Sequence, residues 1–119
     1  MSPATNVVLL HNPRCSKSRS LKAALDERGV AYEERRYLEQ PLTRAELDEL
    51  HEKLGASAAS MVRRKEAEYR AAGLSADSSD DELLDAVARA PVLMERPVLV
   101  TAQRAAVGRP GPDDALAIL

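Results

Sequence analysis

The sequence predicts one α/β domain with a mixed sheet, its elements ordered β-α-β, a block of helices, then β-β-α. Three observations lead there. A short apolar run, Val7–Leu10, is followed at once by a turn and a helix-period pattern. Two capping boxes, at Thr43 and Ser79, open helices in the middle of the chain. After Pro91 the pattern changes to two short β-rich runs around a turn. The 119 residues fit a single domain, residues 1–119, and one of this size buries about two-thirds of its unfolded surface.

Taken in order, Val7–Leu10 reads as a buried strand. Ser16–Arg28 reads as a helix with Leu21, Ala24 and Leu25 on one stripe, and Gly29 stands where a left-handed residue ends it. Val30–Tyr37 is an extended run of mixed polarity, suited to an edge or half-buried strand, and Gln40-Pro41-Leu42 breaks it. Thr43-Arg44-Ala45-Glu46 caps a helix through Leu47, Leu50 and Leu54 to Gly55. Ser57 is placed to cap a short helix carrying Met61, Val62, Arg63 and Arg64, with more helix to Ala72 and a stop at Gly73. Ser79-Asp80-Asp81-Glu82 opens the helix of Leu83, Leu84, Val87 and Ala88, ended by Pro91. Pro97–Thr101 and Ala105–Val107 form a hairpin around Gln103-Arg104. Gly108–Pro112 is a rigid loop, and Asp113–Leu119 a terminal helix.

This is the element order of a thioredoxin-like fold with a helical insertion at roughly residues 43–90. The position of Cys15 fits it, because thioredoxin-like proteins carry their reactive thiol after the first strand.

Composition narrows the function. There is no Phe or Trp, so the core is Leu, Val, Ala and Met, and Tyr32, Tyr37 and Tyr69 are the aromatics. That set makes no stacking platform for single-stranded nucleic acid. A net charge of −2 provides no general attraction to nucleic acid or anionic membrane. No stretch is long and apolar enough to span a bilayer, and no secretory leader is visible, so a cytoplasmic location is expected. There a lone thiol stays reduced.

Cys15 is the candidate for chemistry. A free cysteine is commonly a small core residue, but Arg14, Ser16, Lys17 and Ser18 are poor company for one. At a strand-to-helix turn, N–H groups and the helix dipole favour the thiolate and can bring a thiol pKa from about 8.5 into the range 3.5–7.5. A fall of about two pH units is worth about 2.7 kcal/mol. A phosphatase loop would need an arginine six residues on, where Leu21 stands, and a dithiol motif would need a cysteine at Ser18. Both are excluded, and any resolving thiol must come from another molecule. His11 reads equally as a structural residue or as a charge that lowers the thiol pKa. His51, Arg44, Arg70 and Arg89 read as solvated helix-face residues. Arg96-Pro97 and Arg109-Pro110 bracket the hairpin and hold their guanidinium groups at defined places, with cis bonds permitted. No cluster has metal-ligand spacing, and there is no Walker loop or dinucleotide fingerprint.

The matching pieces run in order over nearly the whole chain. They are His11-Asn12-Pro13-Arg14-Cys15-Ser16-Lys17-Ser18-Arg19, Tyr37-Leu38-Glu39, Met61-Val62-Arg63-Arg64-Lys65-Glu66 with Tyr69, Pro91, Glu95-Arg96-Pro97-Val98-Leu99-Val100 and Gly108-Arg109-Pro110. On these the chain resembles the glutaredoxin-coupled arsenate reductase family (ArsC type), within the arsenate reductase/Spx group, and its short members most of all. The resemblance implies a catalytic Cys15 that attacks arsenate, with His11 associated with the low thiol pKa and Ser18 hydrogen-bonded near the sulfur. It implies that Arg63, Arg96 and Arg109 hold the oxyanion, Arg63 being chosen over its neighbour Arg64 by its spacing after Gly55 and before Lys65-Glu66, and that the Arg96-Pro97 peptide is cis. No cofactor or metal is expected. Glutathione is expected as co-substrate and glutaredoxin as partner: glutathione attacks the Cys15–arsenic adduct, and glutaredoxin resolves the glutathione linkage. Two other functions fit the same pattern. One is an Spx-like regulator of RNA polymerase, against which the absence of a second cysteine weighs. The other is a monothiol oxidoreductase acting on glutathione mixed disulfides.

Overall fold

The computed structural model describes residues 7–119. The leader expectation rests partly on residues 1–6 and lies outside the described residues. In chain order the elements are β1 (Val8–Leu10), α1 (Ser16–Glu27), β2 (Glu33–Arg35), α2 (Arg44–Leu54), a 3-10 turn (Ala58–Met61), α3 (Ala67–Ala71), α4 (Asp80–Arg89), a second 3-10 turn (Pro91–Leu93), β3 (Val98–Val100), β4 (Ala105–Val107) and α5 (Asp113–Leu116). They fall into two compact units. One joins the segment ending at Gln40 to Arg96–Leu119; the other is Pro41–Glu95.

The first unit holds a four-stranded mixed sheet in the order β2-β1-β3-β4. β1 runs parallel to β2, with Leu9 opposite Glu34, and antiparallel to β3, with Leu9 opposite Leu99. β3 and β4 form the expected hairpin, Leu99 facing Ala106. Sequence explains the order. Val-Leu-Leu and Val-Leu-Val are apolar on both faces and take the centre, whereas Glu-Glu-Arg supplies the half-buried edge. Leu21 and Leu25, one turn apart on α1, bury fully against Leu9 and Leu99, and Ala115 and Leu116 of α5 join them. Each such leucine is worth about 1.5–3 kcal/mol in burial. Gly29 follows α1 at φ 67°, a conformation that its missing Cβ permits, and ends it as expected.

Gly108 has a different task. Its N–H donates to the Pro97 carbonyl at 2.8 Å, and a Cβ there would lie 2.9 Å from Pro97 Cγ and 3.2 Å from Leu21 Cδ2. The proline ring cannot rotate away. Gly108→Ala is expected to destabilise the protein by about 1–3 kcal/mol through overpacking, read as a lower urea midpoint at unchanged m-value.

In the second unit, α2 and α4 begin at the two expected capping boxes: Thr43 Oγ1 accepts the Glu46 N–H, and Ser79 Oγ the Glu82 N–H. Leu47 and Leu50 of α2 are buried, as are Leu83, Leu84 and Val87 of α4. Thr43→Ala should cost about 1 kcal/mol, measured by thermal or urea unfolding. Arg44 is more than the surface charge the sequence suggests. It bridges α2 to α4, its guanidinium meeting Asp48 at 3.0 Å, Asp81 at 2.7 Å, and Asp85. His51 also departs from a solvated face position: it is half-buried, with Nε2 3.6 Å from Asp80 Oδ2.

Two helix expectations are corrected. The helix after Ser57 stops at Met61, so Val62, Arg63 and Arg64 lie outside it. An antiparallel bridge pulls the chain straight there: Val62 pairs with Met94, the Arg63 N–H donates to the Leu93 carbonyl at 2.7 Å, and the Glu95 N–H to that of Met61 at 2.7 Å. The terminal helix is one turn, Asp113–Leu116, after which the Ile118 and Leu119 N–H groups close three-residue turns onto Ala115 and Leu116. No described helix is long and apolar enough to cross a membrane.

Candidate active site

Cys15 is the residue that precedes α1, with extended backbone (φ −97°, ψ 124°). The turn before it is built by Asn12. The Asn12 carbonyl accepts the Cys15 N–H at 3.0 Å, and its Oδ1 accepts the Arg14 N–H at 3.0 Å. Arg19, one turn into the helix, reaches back to donate Nη1 to the Pro13 carbonyl at 3.0 Å. The thiol is therefore set at the positive end of α1, neither sealed in the core nor fully exposed.

Partial burial pushes the Cys15 pKa up. The main-chain N–H groups of Ser18 and Lys17 and the Arg96 guanidinium outweigh that, and the net result lies below the usual thiol value. Arg96 acts on the sulfur both as a charge and as a hydrogen-bond donor. It is carried to Cys15 by the segment that enters β3, and the Arg96-Pro97 peptide is cis, as expected; so is Arg109-Pro110. Arg109 Nη1 donates to the Arg96 carbonyl at 3.0 Å, so the second Arg-Pro pair fastens the main chain of the first.

Ser18 is fully buried and has two jobs. Its N–H supports the sulfur, while its Oγ lies 2.7 Å from His11 Nδ1 and accepts the Asn12 N–H at 3.0 Å. His11 is buried as well, at 2% exposure. Burial lowers its pKa below 6.5, with Glu34 opposing and Lys22, Arg36 and Arg19 reinforcing the fall. What His11 brings to the site is a hydrogen bond to Ser18, and burial works against the standing positive charge that its spacing from Cys15 allows.

Five of the six expected site residues are joined in the first unit by an unbroken run of contacts: His11 to Ser18, Ser18 to Cys15, Cys15 to Arg96, Arg96 to Arg109. Arg63 belongs to the second unit. It is half-buried and pairs with Glu66 at 2.7 Å, while the exposed Arg64 lines a small cavity of about 100 Å³ with Val62, Tyr69 and Leu83. The structural work of Asn12 and Arg19 is less visible in sequence. An Asx turn ahead of a helix is its only signal. Among the described residues no group of His, Cys, Asp and Glu is arranged to hold a metal ion.

The sheet order, the lone cysteine at the start of α1 and the cis-proline ahead of β3 are those of a thioredoxin-like fold. The family model described as the ArsC family matches residues 10–117, and the chain belongs to that family. The chain is 46% identical over 106 residues to an arsenate reductase of Neisseria meningitidis, covering 87% of this chain and 91% of the relative. It is 35% identical over 116 residues to an arsenate reductase of Haemophilus influenzae, covering 96% and 99%. The solved structure of an arsenate reductase from Vibrio cholerae superposes with a TM-score of 0.89 at 41% identity, covering 98% of this chain and all of that one.

Proposed function

We propose that this protein reduces arsenate to arsenite through Cys15, with glutathione and glutaredoxin as the external reductants. The observation that carries the reading is the meeting of Cys15, the α1 N-terminus and the Arg96 guanidinium. Arsenate carries one to two negative charges near neutral pH, so a thiolate approaching it meets repulsion. Fixed N–H donors and a guanidinium offset that repulsion and stabilise charge that develops on the oxygens.

The Cys15 thiolate attacks arsenic and hydroxide leaves as water, forming a sulfur–arsenic(V) bond. Reduction to arsenic(III) takes two electrons, and two thiols supply them by leaving joined as a disulfide. Cys15 is the chain's one cysteine and in this scheme stays bonded to arsenic through the reduction, so both of those thiols are external. Glutathione attacks the adduct and glutaredoxin takes up the glutathione sulfur; water then releases arsenite and restores Cys15. In this mechanism Arg96 and Arg109 serve the oxyanion, Arg109 also by holding the Arg96 carbonyl. Arg63 is the third candidate. Arg63→Ala and Arg64→Ala in one assay decide between these neighbours, with the loss expected at Arg63.

The test is arsenite production with purified components, omitting each in turn. Turnover should need both glutathione and glutaredoxin. Equal turnover with thioredoxin and no glutathione would overturn the reductant assignment, and turnover on a glutathionylated peptide without any on arsenate would overturn the substrate.

A further inference from the structure

α1 carries a second stripe beside Leu21 and Leu25. Ser18, Lys22 and Asp26 recur every four residues and so share one side of the helix. Each finds a polar partner from the segments beside the sheet. Ser18 meets His11 Nδ1 at 2.7 Å. Lys22 Nζ donates to Glu34 Oε1 at 2.7 Å and to the Tyr32 hydroxyl at 2.9 Å, and that hydroxyl donates to Asp26 Oδ1 at 2.8 Å. The other Glu34 oxygen accepts from Arg36 Nε at 2.8 Å.

Sheet register explains why Glu34 and His11 face the same space. His11 lies two residues beyond Leu9 and therefore on its side of the sheet. Glu34 stands directly opposite Leu9 on the parallel neighbour and shares that side too. α1 covers it, since Leu9 packs with Leu21 and Leu25. The His11 N–H extends the ladder to the Arg35 carbonyl at 2.8 Å, one residue from Glu34. Little water reaches the imidazole to screen a charge held nearby.

Resting on the reading of Cys15 as the nucleophile, we propose that Glu34, clamped between Lys22 and Arg36, is a positioning residue for His11: its carboxylate sets the pH below which the buried imidazole can only donate to Ser18. Four charged side chains act on the ring. Lys22 and Arg19 come from α1, Arg36 and Glu34 from β2 and the residue after it, and Glu34 is the only anion of the four. The polarity at Nδ1 matters because an imidazolium can only donate there, whereas a neutral ring protonated on Nε2 accepts the Ser18 hydrogen. Ser18 Oγ already accepts the Asn12 N–H, and the Ser18 N–H faces the reactive sulfur. The Glu34 charge is a standing one, because hydrogen bonds from Lys22 and Arg36 hold its carboxyl at about 2.

The test is an NMR titration of the His11 ring nitrogens in the full-length chain without substrate, for wild type, Glu34→Gln and Glu34→Asp. Glu34→Gln leaves the cations unopposed and should lower the His11 pKa by about half a unit or more, and Glu34→Asp should restore most of it. A merely structural role would loosen the site, admit water and move His11 up towards 6.5, which is the opposite sign. Such a rise, or no change, overturns the proposal. Lys22→Met gives an independent check with the reverse sign: His11 should rise, and a fall or no change would contradict the coupling. A wild-type chain that left arsenate untouched would sink the proposed reaction but not this coupling, since the titration contains no arsenate.

Discussion

Cys15→Ser is expected to abolish arsenate reduction, with kcat falling at least about 10⁴-fold in the glutathione and glutaredoxin assay. The size follows from what the residue supplies. A serine hydroxyl stays protonated where the thiol ionises, and neither the α1 N–H groups nor Arg96 can lower its pKa far enough to change that. Serine also forms no sulfur–arsenic bond, so the adduct that external thiols attack in the proposed mechanism never exists. The variant should fold normally. Cys15 makes no side-chain cap on α1, and the Asn12 and Ser18 contacts that shape the turn are independent of the sulfur. Arsenate should therefore still bind to the serine variant, which separates loss of the nucleophile from loss of the site.

Arg96→Ala is expected to lower kcat/KM about 10²–10³-fold, the usual effect of removing one donor from a developing oxyanion. Two changes add up in it. The thiol pKa rises, because a charge and a hydrogen bond that favour the thiolate are gone. In the proposed reaction the oxyanion also loses a guanidinium fork. Arg96→Lys separates the two effects: a lysine keeps a positive charge near the sulfur but offers no planar fork, so the thiol pKa should recover more than the rate does. Measuring the pH dependence of iodoacetamide alkylation beside arsenate turnover reads both. An unchanged rate in Arg96→Ala would remove Arg96 from the site.

The acid side of the stability profile follows from the Lys22–Glu34–Arg36 cluster. Glu34 is held at about 2, below the ordinary carboxylate range, by hydrogen bonds from Lys22 and Arg36. Its folded pKa is depressed, so its contribution is complete above the unfolded value and is lost as pH falls through about 4.5 towards 2. Urea midpoints measured across that window should fall more steeply for wild type than for Glu34→Gln.

The parts of the fold legible in sequence are those fixed by local chemistry. The Thr43 and Ser79 boxes, Gly29 behind α1 and the Gln103-Arg104 turn each carry their structural reason within four residues. What was not legible depends on partners far along the chain. Val62 and Arg63 read as helix, yet pairing with Leu93–Glu95 draws them straight, and Arg64 enters a turn. Arg44 reads as a surface charge until α4 brings Asp81 and Asp85 to it. The site divides the same way. The thiol and its helix N-terminus are adjacent in sequence, so Cys15 can be read directly. The burial of His11 beneath α1, which holds its pKa down, is revealed by no spacing. The grip of Arg109 on the Arg96 carbonyl needs the hairpin closed.

The most direct test of the account is the thiol pKa of Cys15 in the wild-type chain, followed by thiolate absorbance near 240 nm across pH. The account predicts a midpoint clearly below the free-cysteine value of about 8.5, with arsenate-dependent turnover rising along the same curve. A midpoint at or above that value, with Cys15 still protonated where the protein turns over, would contradict it.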